Sequence, residues 1–258
     1  MRIQAKLLDT YPELKPGIMR KITVTKPPQA VRDFSSDINY KDFNNSLNLV
    51  FIGRDFYRKG GGELIVAINE LLDEGFFTTV DINLTIVGDI NRRDNYCIGQ
   101  FNDRAAFFSH VDNIINKREN ISVYKKLDNS IVMRKLSDSH IGFLPTWADT
   151  YGYSVLEMQS EGIPVITSNV RALSEINYSQ LLINIPTNQF GEIVINSEKQ
   201  VEYVSRLIID GIKDNIKLLF EDRRLLAKLS RVVRKEIIKE HSPDDYFKRL
   251  LNTFISHE

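Results

Sequence analysis

The feature that most constrains this chain is an alternation: short apolar runs rich in Val, Ile and Leu recur with longer amphipathic stretches between them. Parallel neighbouring strands need a crossover long enough to hold a helix, and such strands, buried on both faces, read as near-continuous apolar runs. The pattern therefore predicts a parallel α/β sheet with helices on both faces. Strands are expected at Leu47 to Ile52, Ile82 to Val87, Ile121 to Tyr124, His140 to Leu144 and Pro164 to Thr167, with a last one near Leu181 to Ile185.

Several helix ends are also readable. Gly62 to Leu72 places Leu64, Ile65, Ile68, Leu71 and Leu72 on one face and stops at Gly75. Asp128 or Ser130 can cap a helix through Val132 and Leu136. Beyond the last strand the chain turns wholly helical, starting at the capping box Ser197-Glu-Lys-Gln200 and continuing as a charged stretch from Glu221 to Lys239. A final helix starts with Ser242 as N-cap, Pro243 and two aspartates, and carries Tyr246, Phe247, Leu250, Leu251 and Phe254 as one apolar stripe. Before Lys41 the pattern differs. Proline turns at Tyr11-Pro12-Glu13, Lys15-Pro16-Gly17 and Lys26-Pro27-Pro28 surround one strand-like stretch, Ile22 to Thr25. Residues 1–45 read as an arm or linker, 46–240 as the folded domain and 241–258 as a terminal helix.

Composition narrows the function classes. Across 258 residues, 34 Lys and Arg balance 34 Asp and Glu, so no global basic field gathers nucleic acid or an anionic membrane, and neither is expected as a partner. A single cysteine, Cys97, allows no internal disulfide and fits a cytoplasmic setting. The four histidines show no metal-ligand spacing, Asp-x-Asp is absent, and no bound metal or cofactor is expected. His140, inside an apolar strand, reads as a packed core residue rather than a base. The dinucleotide and NTPase glycine loops and the Gly-x-Ser-x-Gly elbow are missing.

Chemistry concentrates at three strand ends, where open α/β sheets hold ligands. The first is Gly53-Arg54-Asp-Phe-Tyr-Arg58-Lys59-Gly60-Gly-Gly62, three cations beside glycines and a helix start, suited to an anion. It reads equally as a solvated basic turn. The second runs from Pro145 to Met158, with Asp149 in the loop and Glu157 just inside a helix. Ser154-x-x-Glu157 is also an ordinary capping box. The third, weaker, is Gly88 with Asn91, Arg92 and Arg93 beyond it.

In this order and at this separation, the first two places resemble the donor-binding half of a GT-B glycosyltransferase of the large retaining group, whose C-terminal domains carry a Gly-Arg…Lys-Gly motif and a Glu-x7-Glu motif. Here these stand as Phe51-Ile-Gly-Arg54-Asp-Phe-Tyr-Arg-Lys59-Gly and as Asp149-Thr-Tyr151-Gly152-Tyr153-Ser154-Val-Leu-Glu157, continuing through Gly162, Pro164 and Ser168 to Glu175. The resemblance implies a Rossmann-like sheet forming one half of a GT-B fold, transferring a glycosyl group with retention from a nucleotide sugar such as a UDP- or GDP-sugar. It implies that Arg54 and Lys59 grip the diphosphate and act in catalysis with Asp149. Glu157 would accept from the ribose hydroxyls, and Tyr151, Gly152, Tyr153 and Ser154 would offer backbone amides and a hydroxyl to sugar and phosphate. A loop at Tyr124 to Lys126 would hold the base.

Two departures shape the expectation. Asp149 stands where the family has glutamate, one methylene longer. The acceptor domain is expected to be absent or on a separate chain, with the arm and the Ser242 helix matching the family's interdomain connections. The competing reading is a degenerate half-enzyme that binds a nucleotide sugar or presents its last helix as a scaffold.

Overall fold

The structure is a computed structural model that describes residues 12–13, 25–31 and 41–255. Six strands form one sheet: β1 (Leu47–Asp55), β2 (Ile82–Asp89), β3 (Ile121–Tyr124), β4 (Ile141–Leu144), β5 (Val165–Ser168) and β6 (Leu182–Ile183). Their order is β3-β2-β1-β4-β5-β6 and every pairing is parallel. This is the doubly wound Rossmann order, in which the chain reverses its direction of travel between β1 and β4. All residues of β4 and β5 are buried, as the apolar runs require.

Strand β1 extends beyond the expected Ile52 to Asp55, pairing with β2 as far as Asp89 across an irregularity, so Gly53 and Arg54 are carried to the sheet's C-terminal edge. β6 is shorter than expected.

The crossovers are helices α1 (Gly61–Asp73), α2 (Ala105–Lys117), α3 (Asn129–Ser137), α4 (Tyr153–Ser160) and the single turn α5 (Leu173–Ile176). After β6 come α6 (Glu198–Glu221), α7 (Arg223–Glu240) and α8 (Pro243–Ile255). Helix α1 buries Leu64, Ile65, Ile68 and Leu71 and packs on α6, whose Val201, Val204, Ile208, Ile212, Ile216 and Leu219 make one apolar stripe. Half of the capping box forms: Ser197 Oγ accepts from the Gln200 amide at 3.3 Å, while Gln200 Oε1 accepts not from the Ser197 amide but from that of Asn196, one residue earlier, at 2.6 Å. The charged stretch is a helix of its own, α7, separated from α6 at Asp222. Asp222 leaves helical geometry and its carboxylate caps α7 through the Leu225 amide at 2.8 Å. Asp128 takes the N-cap position of α3, and Ser242 accepts from the Asp245 amide at 3.3 Å at the start of α8. No helix among the described residues is long and apolar enough to cross a membrane.

The arm divides. Residues Ile22 to Val24 of the strand-like stretch, and the turn at Lys15 to Gly17, lie outside the described residues. Residues 25–31 dock at the junction of α7 and α8, where Lys26 Nζ meets Glu240 Oε2 at 2.6 Å and the Gln29 amide donates to His241 O at 2.8 Å. That pair, with Lys239, holds the Glu240 carboxyl down at about 2. His241 is buried, its ring nitrogens 2.8 Å from Pro27 O and 3.0 Å from the Tyr178 hydroxyl. Phe43 is buried against the His140 ring, so the end of the arm already belongs to the domain.

His140 is a core residue, as expected. It is buried, and its Nδ1 accepts from the Asn48 amide at 2.9 Å, a bond only the neutral ring can accept. Burial, reinforced by the Lys41 charge, lowers its pKa to about 4. A folded-state pKa below the unfolded value contributes stability that is present above the unfolded pKa and is lost as pH falls through the folded one. Urea midpoints should therefore decline between pH 6.5 and 4, by at most ~3 kcal/mol from this group. His140→Gln should flatten that part of the decline, and an unchanged slope in the variant would assign the acid loss to other groups.

Candidate functional site

The chain reverses between β1 and β4, so the loops that follow these strands flank a crevice at the C-terminal edge. The loop after β1 is anchored from below by Phe56 and Tyr57, both buried in the core. It is then stitched to the loop after β4 at the backbone. The Trp147 amide donates to Arg58 O at 2.9 Å and Arg58 Nη1 to Ala148 O at 2.9 Å, while the single Thr146 hydroxyl hydrogen lies between Ala148 O at 2.7 Å and Arg58 O at 3.1 Å. Gly60, the N-cap of α1, has φ +80, and a Cβ there would lie 2.1 Å from Pro145 O. Only glycine permits both that conformation and that approach.

Across this seam Lys59 Nζ forms an ion pair with Asp149 Oδ2, with both side chains largely buried. The other carboxylate oxygen, Oδ1, accepts from the Tyr151 and Gly152 amides at 3.2 and 3.1 Å. Asp149 thus clamps both the opposite loop and its own turn. Gly152, at φ +94, is the N-cap of α4, and its carbonyl accepts from Val155. The amides of Tyr153 and Ser154, at the head of the helix, have no intrahelical partner. Of the four residues expected to offer amides, two are therefore turned onto Asp149 and two are left open at the helix head.

With Gly152 as N-cap, Ser154 lies inside the helix, so Ser154-x-x-Glu157 does not form a capping box. Glu157 is half-buried and, among the described residues, its carboxylate accepts no hydrogen bond and meets no cation. Burial alone pushes its pKa up. Arg54 is exposed at the end of β1, and no carboxylate pairs with it among the described residues. Tyr151 is half-buried beside the exposed Tyr153, with ring centroids 5.3 Å apart, and burial, with Tyr178 nearby, pushes its hydroxyl up to about 12.

The structure thus brings Lys59, Asp149, Tyr151 and Gly152 into direct contact and puts Arg54 and Glu157 on the same edge. Arg58, read from the sequence only as one of three cations, is committed to structure. It pairs with Asp55, whose other oxygen lies 2.8 Å from Arg92 Nε. Burial raises the Asp55 pKa, but the Arg58 hydrogen bond and the charges of Arg58, Arg92 and Lys59 outweigh it and hold the carboxyl below its usual range. The Asp55/Arg58 spacing of three in a turn was the available signal for this role. The third place is also internally satisfied: Arg93 pairs with Asp112 at 2.7 Å and Lys125 with Asp89 at 3.3 Å.

This constellation joins an exposed guanidinium and a half-buried carboxylate, neither with a partner among the described residues, a lysine paired with a carboxylate, and two helix-head amides without an intrahelical partner. Together they can meet an anion on one side and a diol on the other.

The model of the family Glycosyl transferases group 1 matches residues 46–207, more than half of the chain. The chain belongs to this family. TarM from S. aureus, solved as a mutant in complex with UDP among other ligands, is similar over 93% of this chain and 42% of its own, with 14% identity and a TM-score of 0.59. Sucrose-phosphate synthase from Thermosynechococcus elongatus is similar over 84% and 47%, at 14% identity and 0.56. WaaG, a glycosyltransferase involved in lipopolysaccharide biosynthesis, is similar over 84% and 52%, at 17% identity and 0.53. The chain therefore spans about half or less of the length of these proteins. At such identities the likeness establishes the fold, a Rossmann-like half as found in GT-B glycosyltransferases. No curated protein matches.

Two outcomes follow for this group 1 glycosyltransferase domain. Gly60→Ala should cost at least ~2 kcal/mol in chemical denaturation, from the left-handed backbone and the displaced Pro145 carbonyl. A cost under ~0.5 kcal/mol would mean the loops are not pressed together there. Glu157→Gln should raise the denaturation midpoint at pH 7 to 8, because a carboxyl pushed up by burial is penalised above its folded pKa. The gain should vanish as pH falls towards ~4.3. Equal midpoints at pH 8 would show that the carboxylate is solvated.

Proposed function

We propose that this domain binds a nucleoside-diphosphate sugar in the crevice between the two joined loops and supplies the donor half of a glycosyl transfer that retains anomeric configuration. The observation that carries the reading is the ion pair between Lys59 and Asp149 at the head of α4, beside an exposed Arg54 that no carboxylate among the described residues pairs with.

Departure of a nucleoside diphosphate builds negative charge on the terminal phosphate, and preorganised cations and helix-head amides stabilise that charge as it develops. Arg54 is available for it without rearrangement. Lys59 must exchange a carboxylate for a phosphate, which replaces one charged hydrogen bond by another. The exchange also releases Asp149 Oδ2 to the sugar. The open helix-head amides of Tyr153 and Ser154 and the Ser154 hydroxyl add donors. Glu157, ionised and with no partner among the described residues, accepts from a ribose diol, and its burial strengthens those bonds once water is displaced. The acceptor comes from a second domain or a separate chain, which would meet the exposed Phe247 and Leu251 of α8, 57% and 59% accessible.

One observation favours a second reading, a nucleotide-sugar-binding or scaffold protein without turnover: both oxygens of Asp149 are engaged within the seam. Slow hydrolysis of the bound donor by the isolated domain supports an enzyme, whereas tight binding with no hydrolysis supports the second reading.

Isothermal titration with UDP-, GDP- and ADP-sugars should show one-site binding of at least one donor. Arg54→Ala and Lys59→Ala should each weaken it by ~1 to 3 kcal/mol, as for hydrogen bonds to charged groups. Affinity unchanged in both variants would place the diphosphate elsewhere. Glu157→Gln should lose affinity while gaining stability, and opposed signs at one residue mark a group held for binding rather than folding.

A further inference from the structure

At the opposite edge of the sheet, where the strands begin, lies a groove of about 440 Å³ lined by Lys41, Asp42, Phe43, Arg223, Arg224 and Arg231 among others. Residues 41–44 lead into β1 and Arg223 opens α7. The nine residues of β1, at ~3.3 Å each, set this groove roughly 25 Å from the joined loops. The donor crevice cannot account for it.

Two cations of the groove have no ion-pair partner among the described residues. Among the described residues no carboxylate forms an ion pair with Arg223 or Arg224. The nearby acids are spent locally: Asp42 accepts from the Asn44 amide at 2.9 Å and Asn45 Nδ2 at 2.6 Å, Asp81 from the Thr78 amide and hydroxyl at 2.7 Å, and Asp222 from the Leu225 amide at 2.8 Å. The Arg223 guanidinium carbon sits over Phe220, 4.2 Å from the ring centre, and its Nη1 is buried with no hydrogen-bond partner. A buried guanidinium N–H without an acceptor is costly and rare in folded proteins. Lys41 Nζ donates to Ser139 O at 2.5 Å and Leu136 O at 3.4 Å. Burial lowers its pKa to about 7 against the pull of Glu161 and Asp138, with Arg234 reinforcing the drop, so the arginines carry the permanent charge. The start of α7 adds a dipole of the same sign.

We infer that this groove is a binding site for a phosphate-type anion, taken either as a free small molecule or as the exposed phosphate of a lipid headgroup. Arginine forks suit phosphate oxygens, the unpartnered Nη1 gains its missing acceptor, and Phe43 supplies an apolar wall on one side. The site is separate from the donor crevice, so its failure leaves the proposed function untouched.

The test uses the full chain with Arg54→Ala and Lys59→Ala, which silences the donor crevice, and follows backbone amide NMR shifts on titration with inorganic phosphate and pyrophosphate. Shifts that saturate at residues 41–44 and 223–231, and an affinity on the order of tenfold weaker after adding Arg223→Gln and Arg224→Gln, support a free anion. Arg224 is exposed, so Arg224→Gln alone, with a smaller loss, serves if the double change unfolds the helix start. In parallel, phosphatidylcholine vesicles with and without phosphatidic acid are co-sedimented with the chain. Binding that needs phosphatidic acid and is lost with the arginines supports the headgroup source. The inference is overturned if neither probe binds saturably, or if binding is indifferent to Arg223 and Arg224.

Discussion

The site depends on a neighbourhood hidden by distance along the chain. β1 and β4 lie side by side, so Lys59 and Asp149, 90 residues apart in sequence, meet across a single seam. That seam closes because Gly60 lets the α1 N-terminus press against Pro145 O. Any side chain there would lift one loop from the other and separate every group the crevice contains. Backbone hydrogen bonds through Arg58, Trp147 and Thr146 make the contact rigid, and the Ser168 hydroxyl, 2.6 Å from Thr146 O, ties β5 to the same assembly.

The ion pair itself need contribute little to stability. Two charges taken largely out of water repay their desolvation only when the geometry is good and remaining valences are filled, and Asp149 fills its own with two amides. Its significance under the proposed function is positional: a carboxylate holds the lysine that would receive the diphosphate. Glu157 shows the reverse economy, since no partner among the described residues compensates its burial. A half-buried carboxylate left without a donor makes folding harder, and such groups concentrate where binding supplies the partner. The groove around Arg223 follows the same logic with the opposite sign of charge.

Legibility varied with the range of the interactions involved. All six strands were readable, β4 and β5 as continuous apolar runs buried on both faces, β2 and β3 as apolar residues alternating with more exposed ones. The starts of α6 and α8 were readable because Ser197 and Ser242 cap through bonds only three residues long. Helix α2 was not read: its buried residues are only Phe108, Val111 and Ile114, too sparse to stand out among polar neighbours. The break at Asp222 was equally hidden, since Glu221-Asp222-Arg223 looks like continuous helix surface until a cap forms. In the site, Arg54, Lys59, Asp149 and Glu157 were identified through resemblance to a family motif. That Arg58 serves the seam, that Asp149 holds Lys59, and that Gly152 rather than Ser154 heads α4 depended on contacts across the sheet.

The amino-acid order by itself determined the class of fold, the strands and their polarity, and which residue types gather at strand ends, because periodicity, burial and capping act over a few residues. Tertiary structure alone decided which charges remain free. Arg54, Arg58 and Lys59 are equivalent cations along the chain. One became a structural strut, one was neutralised and one stayed open, because their partners are supplied by neighbouring segments and distant loops that chain reversal at the sheet's centre brings within hydrogen-bond reach.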